Sequence, residues 1–172
     1  MNAFLLMIPF FFIRFGLMQM VNKEALSRAA FFSPLQGNEK IAYLVYQLSN
    51  ILIILYPLFL KIQMDHYTFL LGFTLYILGT VILAFSITAF AKPAPNGLNR
   101  KGIYRYSRNP MYVAYFLCFL GIAVITRSIL LLLVVLTFQI SAHWIILSEE
   151  RWCLIKFKED YAEYMRHVRR YF

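Results

Sequence analysis

The chain is short of charge. Only 15% of its 172 residues are Asp, Glu, Lys or Arg, whereas 61% are apolar and the mean hydropathy is +0.64. Soluble domains are about a quarter charged and about half apolar, so this composition excludes an ordinary soluble fold. Cysteine is scarce as well. Cys118 and Cys153 are the two present, which gives no disulfide framework, and Cys118 falls in an apolar run where it reads as a packed side chain. The opening stretch MNAFLLMIPFFFIRFG lacks the basic n-region and small-residue cleavage site of a signal peptide, and reads as a retained first span. No internal repeat, low-complexity segment or metal site stands out. Acids are fewer than bases, giving a formal charge of +9. In so apolar a chain that surplus points to cytosolic loops and anionic headgroups, not to nucleic acid.

Uncharged apolar sequence is what the chain has in quantity. Five runs can be drawn, at roughly 3–21, 41–60, 67–91, 110–126 and 128–148. A helix needs about 20 residues to cross about 30 Å of hydrocarbon. The expected fold class is therefore all-α: an integral membrane bundle of about five transmembrane helices, forming one domain over 1–172. The turn Thr126-Arg127-Ser128 is tight enough to make a helical hairpin of the last two runs, with Arg127 snorkelling to the far surface. Gly72, Gly79 and Ser86 recur every seven residues, a close-packing stripe of the kind membrane helices use. Pro9 and Pro57 kink or end helices. The tail EERWCLIKFKEDYAEYMRHVRRYF sets Trp152, Ile155, Tyr161, Tyr164, Met165, Val168 and Phe172 at helical spacing among charges. It is expected to form a C-terminal amphipathic helix at the membrane interface.

Lysine and arginine set the orientation. Residues 22–40, the 92–109 loop and the tail carry nearly all of them, and five spans put these three segments on one side. The opposite side has Lys61 and Arg127. The C-terminus is therefore expected in the cytosol and the N-terminus outside.

Several polar residues lie where a plain membrane bundle does not need them. Pro110 suits the first position of a helix and Asn109 the cap before it, so the fourth span presents free N–H groups and a positive dipole end to the cytosolic rim, beside Arg105 and Arg108. Glu149 and Glu150 close the fifth span at the same rim, where the negative end of a helix dipole disfavours them unless something positive compensates. Gln139, His143 and Glu150 fall on one helical face, within about 40° of each other at 100° per residue. Arg14 is an ionisable group inside the first span, where charge is expensive and usually paired or functional. A cluster of structural ion pairs accounts for these residues. So does a zwitterionic ligand with a carboxylate, an ammonium and a ribose, and S-adenosylmethionine has all three. The residues permit that ligand without selecting it uniquely.

The ordered set GLNRKGIYRYSRNPMYVAY, a short hairpin, SEERWCLIKF and YAEY resembles the isoprenylcysteine carboxyl methyltransferases and their relatives, the phospholipid methyltransferases. The resemblance covers roughly 97–172 and rests on Gly102 and Tyr104, on Arg108, Asn109, Pro110 and Tyr112, on Glu149 and Glu150, and on Phe157, Tyr161 and Tyr164. Asn109 stands where the family pattern has His, Ala114 and Lys158 stand where it has Gly, and the Gly-x-Gly of the phospholipid enzymes is absent. Membrane sterol reductases share part of the pattern.

The resemblance implies S-adenosylmethionine as cofactor on the cytosolic side, held by Gly102, Tyr104, Arg108, Asn109, Pro110, Tyr112, Glu149, Glu150 and Tyr161. It implies a lipid-like or prenylated acceptor entering from the bilayer. The first three spans (1–91) are expected to shape the acceptor pocket, with Arg14 and Gln139 as substrate-side residues, and 92–172 to supply the cofactor loop, hairpin and C-terminal helix. A carboxylate acceptor needs no base, and carboxyl O-methylation is the expected reaction. An amine acceptor makes His143 or Glu150 a candidate catalytic base. Phospholipid N-methylation, small-thiol S-methylation, a nicotinamide-dependent reductase and a non-catalytic membrane protein are the alternatives.

Overall fold

The computed structural model describes residues 1–172. Its apolar runs are helices. The first span, α1 (Ala3–Val21), is irregular: it opens as a 3-10 turn, becomes α-helical, passes through a π-helical segment at Phe12–Leu17 and ends α-helical. A short helix α2 (Lys23–Ala29) follows, with Asn22 as its N-cap. Next come α3 (Glu39–Phe59), α4 (His66–Ala91), α5 (Pro110–Thr126), α6 (Ile129–Phe157) and α7 (Glu159–His167). Four of these, α1, α3, α4 and α6, are long and apolar enough to cross a membrane, and α5 is shorter but equally apolar. The chain is an integral membrane protein built as an all-helical bundle.

Small residues set the tightest packing. A Cβ on Gly79 would lie 2.7 Å from the Cys118 backbone N and 2.9 Å from the Ala114 carbonyl, and one on Gly121 would lie 2.6 Å from the Gly72 carbonyl. Helices α4 and α5 therefore touch backbone to backbone along the glycine stripe, the arrangement by which membrane helices gain dispersion contact without a hydrophobic drive. The core continues through Phe10, Phe119, Phe138 and Tyr46, with Phe119 and Phe138 edge to face at 5.5 Å.

The bundle has two unlike ends. At one, residues 1–3, 60–63 and 125–128 tie together: Ala3 N donates to the Leu60 carbonyl, Ile62 N to Met1 and Gln63 N to Ile125. Arg127 caps α5 in the left-handed conformation (φ 51°) and pairs with Asp65. Here Thr68 and then Arg127 hold the Asp65 carboxyl below its ordinary pKa. At the other end the three basic segments gather. Asn22 and Arg28 donate to carbonyls at the end of α4, Arg100 pairs with Asp160, and Arg108 N donates to the Arg169 carbonyl.

Three sequence expectations are corrected. Helix α6 does not stop at residue 148. It runs on to Phe157, so Glu149 and Glu150 lie inside a helix and not at its negative terminus. The tail is not one amphipathic helix either. It breaks at Lys158 (φ 48°, ψ −125°), forms the nine-residue α7 and then runs extended. Asn109 precedes α5 but makes no side-chain cap, because its amide is drawn to Glu150 and to the Arg170 carbonyl.

Candidate functional site

The basic end of the bundle encloses a cavity of about 590 Å³. Every part of the chain that meets there contributes a wall: Arg14 from α1, Arg28 from α2, Tyr46 from α3, Asn99 and Tyr104 from the loop, Tyr112 and Tyr115 from α5, Glu149 and Lys156 from α6, Tyr161 and Tyr164 from α7. Phe31, Phe32 and Phe90 add apolar surface. A cavity within about 300–1,000 Å³, lined mainly by hydrophobic and aromatic side chains with a few convergent polar groups, is what small-molecule sites look like.

Two acids that sit side by side in sequence have different surroundings. Glu150 is spent inside the protein. Its side chain is 5% exposed, and Arg108 Nε and Nη2 reach Oε1 at 3.1 and 3.0 Å. Asn109 Nδ2 reaches the same oxygen at 3.2 Å, while Arg170 Nε and Nη2 reach Oε2 at 3.0 and 2.9 Å. Arg108 is equally committed, since its Nη1 donates to the Met165 carbonyl at 3.1 Å. Glu149 takes one protein hydrogen bond, from Tyr112 Oη to Oε1 at 2.8 Å, and its other oxygen has no protein donor. Asn99 Oδ1 also lacks a partner and, unlike the free oxygen of the half-buried Glu149, is fully buried. A buried acceptor without a donor costs about 1–3 kcal/mol, so the wall at Asn99 favours a ligand that donates a hydrogen bond.

The tyrosines at the site act as neutral walls. Burial pushes the phenols of Tyr104, Tyr161 and Tyr164 well above their ordinary pKa. Tyr164 Oη donates to the Tyr104 carbonyl at 2.6 Å, which fixes the Gly102–Arg105 turn against α7.

Of the residues expected from sequence, the structure brings Arg14, Tyr104, Arg108, Asn109, Tyr112, Glu149, Glu150 and Tyr161 to one cavity. Four others lie outside its walls. Gly102 faces a separate groove and makes a positive-φ turn (φ 60°). Pro110 starts α5 from a buried position. His143 Nδ1 lies 2.8 Å from Tyr171 Oη, against the tail. Gln139 Oε1 is buried with no partner. The polar face of α6 thus meets the C-terminal residues, and only its last turns reach the cavity. Sequence reasoning missed Asn99, Arg28 and Lys156. It also missed Arg170, which read as one more basic residue of a surface helix.

The fold and cavity together define a class: an all-helical membrane protein with a partly enclosed, ligand-sized chamber at one end. The model of the phospholipid methyltransferase family matches residues 67–160, more than half of the chain, and the chain belongs to that family. It is therefore an S-adenosylmethionine-dependent membrane methyltransferase. No curated protein and no solved structure matches it. The family match runs from α4 into α7 and includes Asn99, Tyr112 and Glu149. Arg14 and Arg170 lie outside it.

Proposed function

We infer that the cavity is where the methyl donor and a lipid-like acceptor meet, with carboxyl O-methylation as the reaction. The observation that carries this reading is the pair of free acceptors on its wall, Asn99 Oδ1 and one oxygen of Glu149. S-adenosylmethionine offers the matching donors: two ribose hydroxyls, an adenine amine and an ammonium. Its carboxylate calls for a cation, and Lys156 and Arg28 stand on the same walls with no carboxylate partner, each instead against an aromatic ring. The residues fit the cofactor.

When bound, the cofactor supplies a methyl group on a sulfonium, which is already electrophilic. The protein's share is alignment and exclusion of water. Glu149 and Asn99 would orient the donor, and Tyr112 holds the Glu149 carboxylate in place. The Glu150 clasp fixes Arg108 and Asn109 and with them the entrance to α5, which is a positioning role. An acceptor carboxylate needs no base. An amine acceptor gives up a proton, and Glu149 is the cavity carboxylate with an oxygen free to take it. His143, bonded to Tyr171 outside the cavity, belongs in this reading to the anchoring of the tail. The acceptor would enter sideways from the bilayer and the cofactor from the cytosol.

The test is a titration of the purified protein with S-adenosylmethionine and, as control, reduced nicotinamide cofactor. Saturable binding of the first, weakened about tenfold in Glu149→Gln and in Asn99→Ala, supports the reading, since each tenfold step is about 1.4 kcal/mol. Binding of the nicotinamide alone refutes it. Labelled-methyl transfer to prenylated thiols, phospholipids and small thiols then identifies the acceptor.

A further inference from the structure

Arg14 is the one cation on the cavity wall that comes from the middle of a transmembrane helix. It lies seven residues before the end of α1 at Val21, about 10 Å along the helix by the rise per residue. No carboxylate lies within 4.0 Å of it; the five ion pairs of the protein all use other arginines. Its polar contact is the Met18 sulfur at 3.5 Å, and its guanidinium carbon stands 5.6 Å and 5.8 Å from the ring centres of Phe15 and Tyr115. Aromatic faces and a thioether stabilise a cation weakly. An arginine at this depth ordinarily pairs with an acid, or faces a cavity whose contents supply the negative charge.

The local backbone points the same way. Arg14 sits within the π-helical segment Phe12–Leu17. Such widened turns sacrifice regular hydrogen bonding and concentrate at functional sites. Glu149, the free acid of the cavity, is bonded to Tyr112 on α5, while Arg14 stands against the neighbouring Tyr115 ring, whose centre is 6.1 Å from that of Tyr112. Cation and free acid thus engage different tyrosines and form no ion pair with each other.

We propose that Arg14, outside the stretch matched by the family model, is the residue that recognises the acceptor's anionic group, the carboxylate or phosphate pairing with its guanidinium inside the cavity. This rests on the reading of the cavity as the methyl-transfer site and adds the residue on α1 that selects the acceptor. A carboxylate on a prenylated or fatty chain and the phosphate of a phospholipid present the same chemistry to a guanidinium, and the experiment separates them.

The experiment is thermal unfolding of the detergent-purified full chain, wild type, Arg14→Gln and Arg14→Lys. Each is titrated with N-acetyl-S-farnesylcysteine, with dioleoyl phosphatidylethanolamine, with uncharged dodecanethiol, and separately with S-adenosylmethionine. The expected result is that at least one of the two probes bearing an anionic group, the farnesylcysteine carboxylate or the phosphate of the zwitterionic phosphatidylethanolamine, raises the Tm of wild type, that Arg14→Gln abolishes the shift, and that Arg14→Lys keeps part of it. S-adenosylmethionine should stabilise all three chains alike, which also shows that the variants are folded. The probe whose shift depends on Arg14 names the source of the anion. Equal shifts in wild type and Arg14→Gln for both the carboxylate-bearing and the phosphate-bearing probe, or a shift from dodecanethiol alone, would overturn the proposal while leaving the methyl-transfer reading intact. Arg14-dependent shifts from either of those two probes with none from S-adenosylmethionine would do the reverse.

Discussion

Arg170 closes the chain onto itself by gripping Glu150. Both Nε and Nη2 of the arginine reach Oε2, at 3.0 and 2.9 Å, while Arg108 and Asn109 hold Oε1 from the other side. The Arg170 carbonyl in turn accepts from Ser107 and Asn109. Removing one partner of a buried pair leaves the other charge uncompensated, at a cost of about 3–5 kcal/mol. Glu150→Gln is expected to lower stability by about 3 kcal/mol, and Arg170→Gln, whose side chain is 32% exposed, by about 1 kcal/mol. Denaturation in detergent checks the order. Deleting residues 168–172 should weaken S-adenosylmethionine binding more than Arg170→Gln does, because it also removes the carbonyls that hold Ser107, Arg108 and Asn109.

Glu149 and Glu150 should separate in function. Glu149→Gln keeps the shape and the Tyr112 bond but removes the charge offered to the cavity, so affinity for S-adenosylmethionine should fall about tenfold, about 1.4 kcal/mol, with little change in Tm. Tyr112→Phe should cost less, about 1 kcal/mol, since it removes a single hydrogen bond to the acid. Isothermal titration and thermal unfolding of the two variants read the split. A Tm loss in Glu149→Gln as large as that of Glu150→Gln would show that both acids are structural.

The bundle was legible from the sequence because hydropathy and helix length are local. The five runs were placed within a few residues everywhere except the last, where α6 extends nine residues past 148. That miss has a physical cause. Glu149, Glu150 and Arg151 end the apolar run, but Arg108, Arg170 and Glu39 neutralise two of the three from other elements, so the helix continues through them. Long-range partners are invisible to a scan of neighbours. For the same reason the meeting of Arg108 with Glu150 was readable only as one of two alternatives, a structural ion-pair cluster or convergence on a ligand, and the return of the tail to α6 was not anticipated at all. Asn99 carried no signal, since an Asn in a loop ordinarily faces water. The glycine stripe was readable because its seven-residue period is itself the contact geometry.

His143 offers a test between catalysis and anchoring. Its Nδ1 is 2.8 Å from Tyr171 Oη, and the two rings are 6.2 Å apart. His143→Phe should keep methyl transfer within about threefold while costing about 1 kcal/mol of stability, the worth of one hydrogen bond. A turnover loss of a thousandfold with unchanged Tm would return the residue to the reaction, a size typical of a missing general base.

The contact of α4 with α5 leaves no room for a side chain at Gly79, where an added Cβ would meet the Cys118 backbone N at 2.7 Å and its sulfur at 2.8 Å. Backbone cannot rotate away, so Gly79→Val must push the helices apart and should cost about 3 kcal/mol. Gly97→Ala gives the contrast: its nearest neighbour is the tip of Phe157 at 3.9 Å, and its positive φ (86°) makes the penalty conformational, about 1 kcal/mol. Thermal unfolding of the two variants ranks them.

Lys158 joins α6 to α7 at φ 48° and ψ −125°, a backbone state that side chains avoid and glycine does not. Lysine stands where the family pattern has glycine, and the fold keeps the glycine geometry. The turn is held by Lys158 N on the Leu154 carbonyl and by Tyr161 and Ala162 N on the Lys158 carbonyl, at 3.0 to 3.1 Å, so relaxing the torsions would break three backbone bonds. The strain of such a residue is about 1–3 kcal/mol. Lys158→Gly should therefore stabilise the protein by about 1 kcal/mol, after allowance for the greater entropy glycine gives the unfolded chain. Lys158→Ala removes the same charge but keeps the Cβ, and should gain nothing. A gain in both variants would trace the effect to charge among Lys156, Arg100 and the other cations of this end; a gain in glycine alone traces it to the backbone.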